Sequence, residues 1–228
     1  PDVYEIEYCR SIVLLGLLQK EDYQENRQIE INKSLIKAKQ ILLKYRDVPL
    51  AKDVLRDINN LDIYFNHQKI LQPIQALKSE IEKSENYNEI IITQENIIEK
   101  YRSLVTNGYK NLAYELGENL SILAWYYLFE KKFSLAEIAA KEAIDPTYYS
   151  KTEDYDEKIE WANTNLALAL LFQGKYVEAE KIYITLKDKP YNNATYKDTF
   201  LADFDELEKE GITHPDVVKI KTLLTKDK

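Results

Sequence analysis

Glu160-Trp-Ala-Asn-Thr-Asn-Leu-Ala-Leu-Ala-Leu-Leu-Phe-Gln-Gly-Lys-Tyr-Val-Glu-Ala-Glu-Lys-Ile-Tyr-Ile-Thr-Leu-Lys-Asp-Lys-Pro190 decides the fold of this 228-residue chain. Leu166, Leu170 and Leu171 give its first half an apolar face, Gly174 stops that run, and Tyr176, Ala179, Ile182, Tyr183 and Leu186 resume the i, i+3, i+4 pattern. The spacing predicts two amphipathic helices folded back on each other through a tight turn at Gly174. Only five glycines and six prolines punctuate the whole chain, too few for many short strands and turns, so the chain reads as all-α.

A second copy lies upstream. Setting Phe133 on Tyr176 brings Leu123 onto Leu166, Ala124 onto Ala167, Tyr127 onto Leu170 and Ala136 onto Ala179, which predicts helices over 111–130 and 134–144. Alanines at these offsets let paired helices approach closely while the aromatics fill the space beside them. The pattern resembles a tetratricopeptide repeat: a large residue, Leu, a small residue and an aromatic or Leu on helix A, then an aromatic, Ala and a further aromatic on helix B. That resemblance implies antiparallel hairpins stacked as a right-handed α-solenoid that binds a protein or peptide as a non-catalytic scaffold or regulatory module. The copies are 43 residues apart, against about 34 in the regular repeat. The excess falls in a loop from Thr147 to Lys158 that carries Tyr148, Tyr149, Glu153, Asp154, Asp156 and Glu157. Leu186, where the pattern has Ala, and Pro146, two positions early, also depart from it.

In such arrays helix A lines a concave groove. The matching positions are Glu118, Ser121, Trp125, Leu128 and Phe129 in the first copy and Trp161, Thr164, Leu168, Leu171 and Phe172 in the second. An aromatic groove of this kind suits a helix or an extended hydrophobic peptide. Where the N-terminal helices or the tail fill it, the same residues are core. Ser121, Trp125, Thr164 and Leu168 stand where carboxylate-clamping repeats carry Lys and Asn, which disfavours capture of a chaperone tail.

The rest of the chain is helical by pattern. Helices are predicted over 3–20, to about Tyr45 with a seam of Ile31, Leu35, Ala38, Leu42 and Tyr45, over 50–84 with a kink or break near Gln72 before Pro73, and over 89–105. Residues 1–108 thus form an N-terminal helical region, either a bundle or degenerate repeats, and 109–228 hold the repeats with capping helices at 196–209 and after Pro215. The stretches from Tyr196 to Phe204 and from Gly211 to Asp216 are similar to the ends of repeat regions in modular bacterial proteins, some of which carry a caspase-like domain upstream. A second reading is therefore the regulatory C-terminal part of a larger enzyme, and a third is a peptide or small-molecule sensor.

Charge and composition narrow the chemistry. Net charge is −8, with 15 basic and 17 acidic side chains in 1–108 against 16 and 22 in 109–228, so no basic stripe suits nucleic acid. The most apolar run, Ile12 to Leu18, is far short of the roughly 20 residues of a membrane span, and it lacks the flanks of a signal peptide. A lone Cys9 excludes an internal disulfide and thiolate zinc sites, which fits the cytoplasm; the start at Pro1 and the absence of Met point to a fragment or processed product that could have lost a targeting signal. His67 and His214 lie in no ligand or nucleophile motif, and the five glycines form no phosphate loop, so no catalytic residue, cofactor or metal is expected. The acidic run from Asp203 to Glu210 is expected to fan around a helix as a solvated face.

Overall fold

The computed structural model describes residues 2–18, 25–45, 47–148 and 155–226. Among them run ten α-helices: α1 (Asp2–Leu18), α2 (Glu25–Leu42), α3 (Pro49–Ile81), α4 (Tyr87–Thr106), α5 (Ala113–Phe129), α6 (Phe133–Ala143), α7 (Tyr155–Phe172), α8 (Tyr176–Leu186), α9 (Tyr196–Lys209) and α10 (Asp216–Thr225). The strand pairing among the described residues is one hairpin of β1 (Pro190–Tyr191) and β2 (Ala194–Thr195), turned by Asn192 and Asn193 at positive φ. Asn tolerates that conformation better than other non-glycine residues, which is why the Asn-Asn pair reads as a turn in the sequence. The fold is all-α. No helix among the described residues is long and apolar enough to cross a membrane.

The chain divides into two compact units, 1–73 and 74–228. The sequence pattern sets its boundary at 108/109; the structure groups α4 with the helices that follow it. In the first unit one core joins Ile6, Cys9, Ile12 and Val13 of α1, Leu35, Ala38 and Leu42 of α2, and Ala51, Val54, Ile58 and Leu61 of α3. The seam read from Ile31 to Tyr45 points into it, and Cys9 is fully buried with its thiol donating to the Ala38 carbonyl. Burial, then the nearby Glu5 charge, pushes that thiol above its ordinary pKa, so Cys9 is a packing residue. Pro49 opens α3, as its fixed φ favours. Of the kink or break expected near Gln72, a break does not occur: α3 continues through Pro73, where the division between the two units falls. Proline in a helix interior costs about 3 kcal/mol, an amount that the buried Val54, Ile58 and Leu61 before it and Ile74 after it offset on one helix.

The second unit is a succession of antiparallel helices. α5 packs against α4, α6 and α7, and α8 against α7 and α10. Four of the turns share one device, in which the third residue past the helix end donates back into its last turn: Tyr109 to Leu104, Lys132 to Tyr127, Lys175 to Leu170 and Ile212 to Leu207. The left-handed residue is Gly108, Gly174 or Gly211 in three of them and Lys131 in the fourth.

Buried amides fix the sliding of these helices. Gln94 of α4 donates to the Asn119 side chain and carbonyl of α5, and Asn165 of α7 donates to the Ser121 carbonyl and hydroxyl of α5. All four residues are at most 4% exposed, so shifting either pair by one turn would leave buried polar groups unpaired. Glu137 of α6 accepts from Lys141, Lys175 and Gln173, tying α6 to the α7–α8 turn. Burial alone would raise this carboxyl, but those donors outweigh it and bring it down to about 2. The end of the unit is aromatic: Tyr183 of α8 meets Phe200 and Phe204 of α9 with centroids 4.6 and 5.8 Å apart. Of the predicted loop 147–158, residues 149–154 lie outside the described residues, and 155–158 belong to α7.

Candidate functional site

All ten positions that the repeat resemblance assigns to a groove lie on α5 and α7, and seven of them are buried: Ser121, Leu128, Phe129, Thr164, Leu168, Leu171 and Phe172. Their partners belong to the chain itself. Phe129 stacks on Tyr87 at 4.5 Å, Phe172 stacks on Phe133 at 5.2 Å and meets the His214 ring edge-on at 6.1 Å, and Ser121 is held by Asn165. Thr164 donates to the Trp161 carbonyl one turn back. Burial and then the Glu210 and Glu206 carboxylates raise the Tyr87 phenol. Glu118, Trp125 and Trp161 keep part of their surface, with Glu118 accepting from Tyr114 and Trp125 packed edge-on against Phe129.

The other side chains singled out from the sequence are engaged structurally. His214 Nδ1 accepts the Asp216 amide at the start of α10. In the acidic run, Asp205 and Glu208 pair with Lys221, the solvated role expected of them. Asp203 departs from that role: it is half-buried, and burial first, then the Glu206 charge, pushes its carboxyl up to about 7. Among the described residues no group of three His, Cys, Asp or Glu is placed to hold a metal ion. The loop carboxylates Glu153 and Asp154 lie outside the described residues, and the side chains of His67, Asp156 and Glu157 are likewise not described.

A different concavity is present on the far side of α5. Helices α4 and α6 flank it, leaving a groove with a cavity of about 330 Å³ over α5. The floor is the stripe Leu120, Leu123 and Tyr127 of α5, three positions at helical spacing, with Ile98 of α4 and Ala139 of α6 beside it. Leu135 and Ile138 of α6 form a wall, 44% and 62% exposed. The rim is ionic. Arg102 makes two 2.7 Å bonds to Glu142 across the groove and one of 2.9 Å to Glu99, while Tyr127 donates its phenol to Glu95. Burial and then this bond raise the Tyr127 phenol, so it stays a donor throughout the ordinary pH range. Beyond the lining, Lys132 at the start of α6 donates to Asn88 of α4.

Three carboxylates against one guanidinium leave the rim with an excess of negative charge. An apolar floor under such a rim can seat a hydrophobic side chain and attract a cation. The signal for this groove was in the sequence as Glu95, Glu99 and Arg102 at i, i+4 and i+7 on α4 and Leu135, Ile138 and Glu142 at i, i+3 and i+7 on α6. Those outer stripes gain meaning only once α4 and α6 are known to flank one helix. No family model, curated protein or solved structure matches the chain.

Proposed function

We propose that the chain is a non-catalytic protein- or peptide-binding module built from tetratricopeptide-like helical hairpins. Two features support the repeat reading. Ala124, Ala136, Ala167 and Ala179 are all fully buried at the equivalent offsets of the two hairpins, and α5 lies against α7, as successive A helices do in a stack. Binding is carried by one observation, the groove of α4, α5 and α6, which combines an apolar floor, exposed Leu135 and Ile138, and unequal rim charge. Trp125 and Trp161 form the remaining exposed part of the helix A face and are the alternative binding surface.

Selection from a random peptide display library on the folded chain tests the proposal. A recurrent sequence motif whose enrichment is lost in Ile138→Asp places binding in the groove; loss in Trp125→Ala or Trp161→Ala places it on the helix A face. Absence of any enriched motif on the parent chain sinks the binding reading.

A further inference from the structure

We propose that the groove between α4 and α6 takes one amphipathic helix of a partner protein, apolar on the side that meets α5 and carrying Lys or Arg where it passes Glu95 and Glu99. The inference rests on the reading of this chain as a binding module and specifies what that module binds.

The length of the groove sets the size of the occupant. The Arg102–Glu142 pair bridges α4 and α6 at one end of the lining, and Glu95 and Leu135 mark the other. From Glu95 to Arg102 along α4 is about 10 Å at 1.5 Å per residue, close to two helical turns. The α5 stripe beneath advances by three and four residues, the period at which a helix laid along it presents its own apolar side chains.

Backbone chemistry selects a helix over an extended strand. Every wall of the groove is helical, so its backbone donors and acceptors are already used within α4, α5 and α6. An extended peptide would find no ladder there and would lose hydrogen bonds to water, whereas a helix brings its own. Side-chain chemistry selects the charge. Glu95 and Glu99 stand one turn apart on the α4 wall, and covering them with an apolar or acidic surface would strip away water that their single bonds to Tyr127 and Arg102 do not replace. A cation from the partner offsets that loss, and the chain's net charge of −8 draws a basic segment in at long range. Leu135 and Ile138, both exposed, are the apolar surface that the docked helix covers.

The test uses a synthetic peptide with Leu at i, i+3, i+4 and i+7 and Lys at the flanking positions, and its twin with Glu for Lys, each followed by fluorescence anisotropy and circular dichroism. The Lys peptide is expected to bind, gain helicity and weaken as salt rises, with the Glu twin at least about tenfold weaker. Ile138→Asp is expected to weaken the Lys peptide by at least about tenfold. The double change Glu95→Lys, Glu99→Lys is expected to reverse the preference between the twins. Unchanged thermal melts check that these surface variants fold. Equal binding of both peptides, or binding indifferent to Ile138→Asp, overturns the proposal. Self-association of the chain alone that Ile138→Asp abolishes overturns it in favour of a second copy as occupant. If neither peptide binds while the display library yields another motif, this inference falls and the binding reading stands; if both experiments are blank, both fall.

Discussion

The hairpins α5–α6 and α7–α8 share a frame and differ in what they accept on their outer side. In both, the alanines at the crossing are fully buried: Ala124 and Ala136 in one, Ala167 and Ala179 in the other. Further along the second helix they part. α6 carries Ala140 and Ala143, both fully buried, and packs against the next hairpin through α7. α8 carries Tyr183 and Leu186 at the same places and meets α9 and α10 instead. Small residues let a further helix approach closely, while a large ring holds it off and must be enclosed by other side chains. Tyr183 is enclosed by Phe200 and Phe204, so the same hairpin frame continues the stack in one copy and joins a terminal cap in the other.

The largest effect should come from breaking that aromatic junction. Tyr183→Ala removes a fully buried ring and is expected to cost about 3–5 kcal/mol, measured by urea denaturation. Tyr183→Phe separates ring from hydroxyl. The phenol oxygen has no hydrogen-bond partner and its pKa is raised by burial and then by Asp203. Its removal should therefore leave stability within about 1 kcal/mol of the parent. A cost as large as that of Tyr183→Ala would mean that the hydroxyl, and not the ring, joins the cap to the hairpin.

Next in size is the half-buried carboxyl of the cap. The Asp203 carboxyl is raised to about 7 in the folded chain, so the folded state holds a proton that the unfolded chain releases near pH 4. The stability from that proton is complete below about pH 4 and is lost as pH rises through about 7, to a total of at most about 4 kcal/mol. Asp203→Asn stays neutral throughout. Its melting temperature should exceed the parent's at pH 8, and the gap should close toward pH 4; a gap independent of pH would show that Asp203 does not titrate in this range.

A smaller loss is expected where α7 is pinned to α5. Asn165→Ala leaves the Ser121 carbonyl and hydroxyl without their buried donor and should cost about 1–3 kcal/mol. Asn163→Ala, one residue pair away on the same helix, removes only a bond to the Ile159 carbonyl of its own helix and should cost less. Equal losses would remove the distinction between a bond across the hairpins and one within a helix.

Much of this frame was legible before any coordinates. Glycines mark three of the four shared turns, Asn192-Asn193 marks the hairpin, and the alanine offsets mark both crossings, because each depends on local backbone geometry or on one residue's size. Pro73 does not end α3, because its local cost is smaller than the burial along a 33-residue helix. The groove positions were legible as an apolar face and not as a surface. Spacing tells which side of α5 and α7 is apolar, but Tyr87, Phe133 and His214, which pack on Phe129 and Phe172, come from elsewhere in the chain. Asp203 was read as solvated for the same reason, since neighbours in sequence say nothing about what closes over a helix face.

The smallest expected effect tests the comparison at its turn. Lys131 and Gly174 occupy equivalent places, each left-handed, with φ 55° and 74°. A Cβ built on Gly174 meets nothing within 4 Å, so Gly174→Ala is opposed by backbone strain alone, about 1–2 kcal/mol. Lys131 already bears that strain, and no glycine signalled its turn in the sequence. Lys131→Gly removes it but gives the unfolded chain more freedom, worth about 0.5–1 kcal/mol against folding. The difference leaves a net gain of at most about 1.5 kcal/mol, readable as a small rise in the denaturation midpoint. A loss instead would mean that the Lys131 side chain contributes more to the first hairpin than its backbone conformation costs, and that the two turns are alike in hydrogen bonding only.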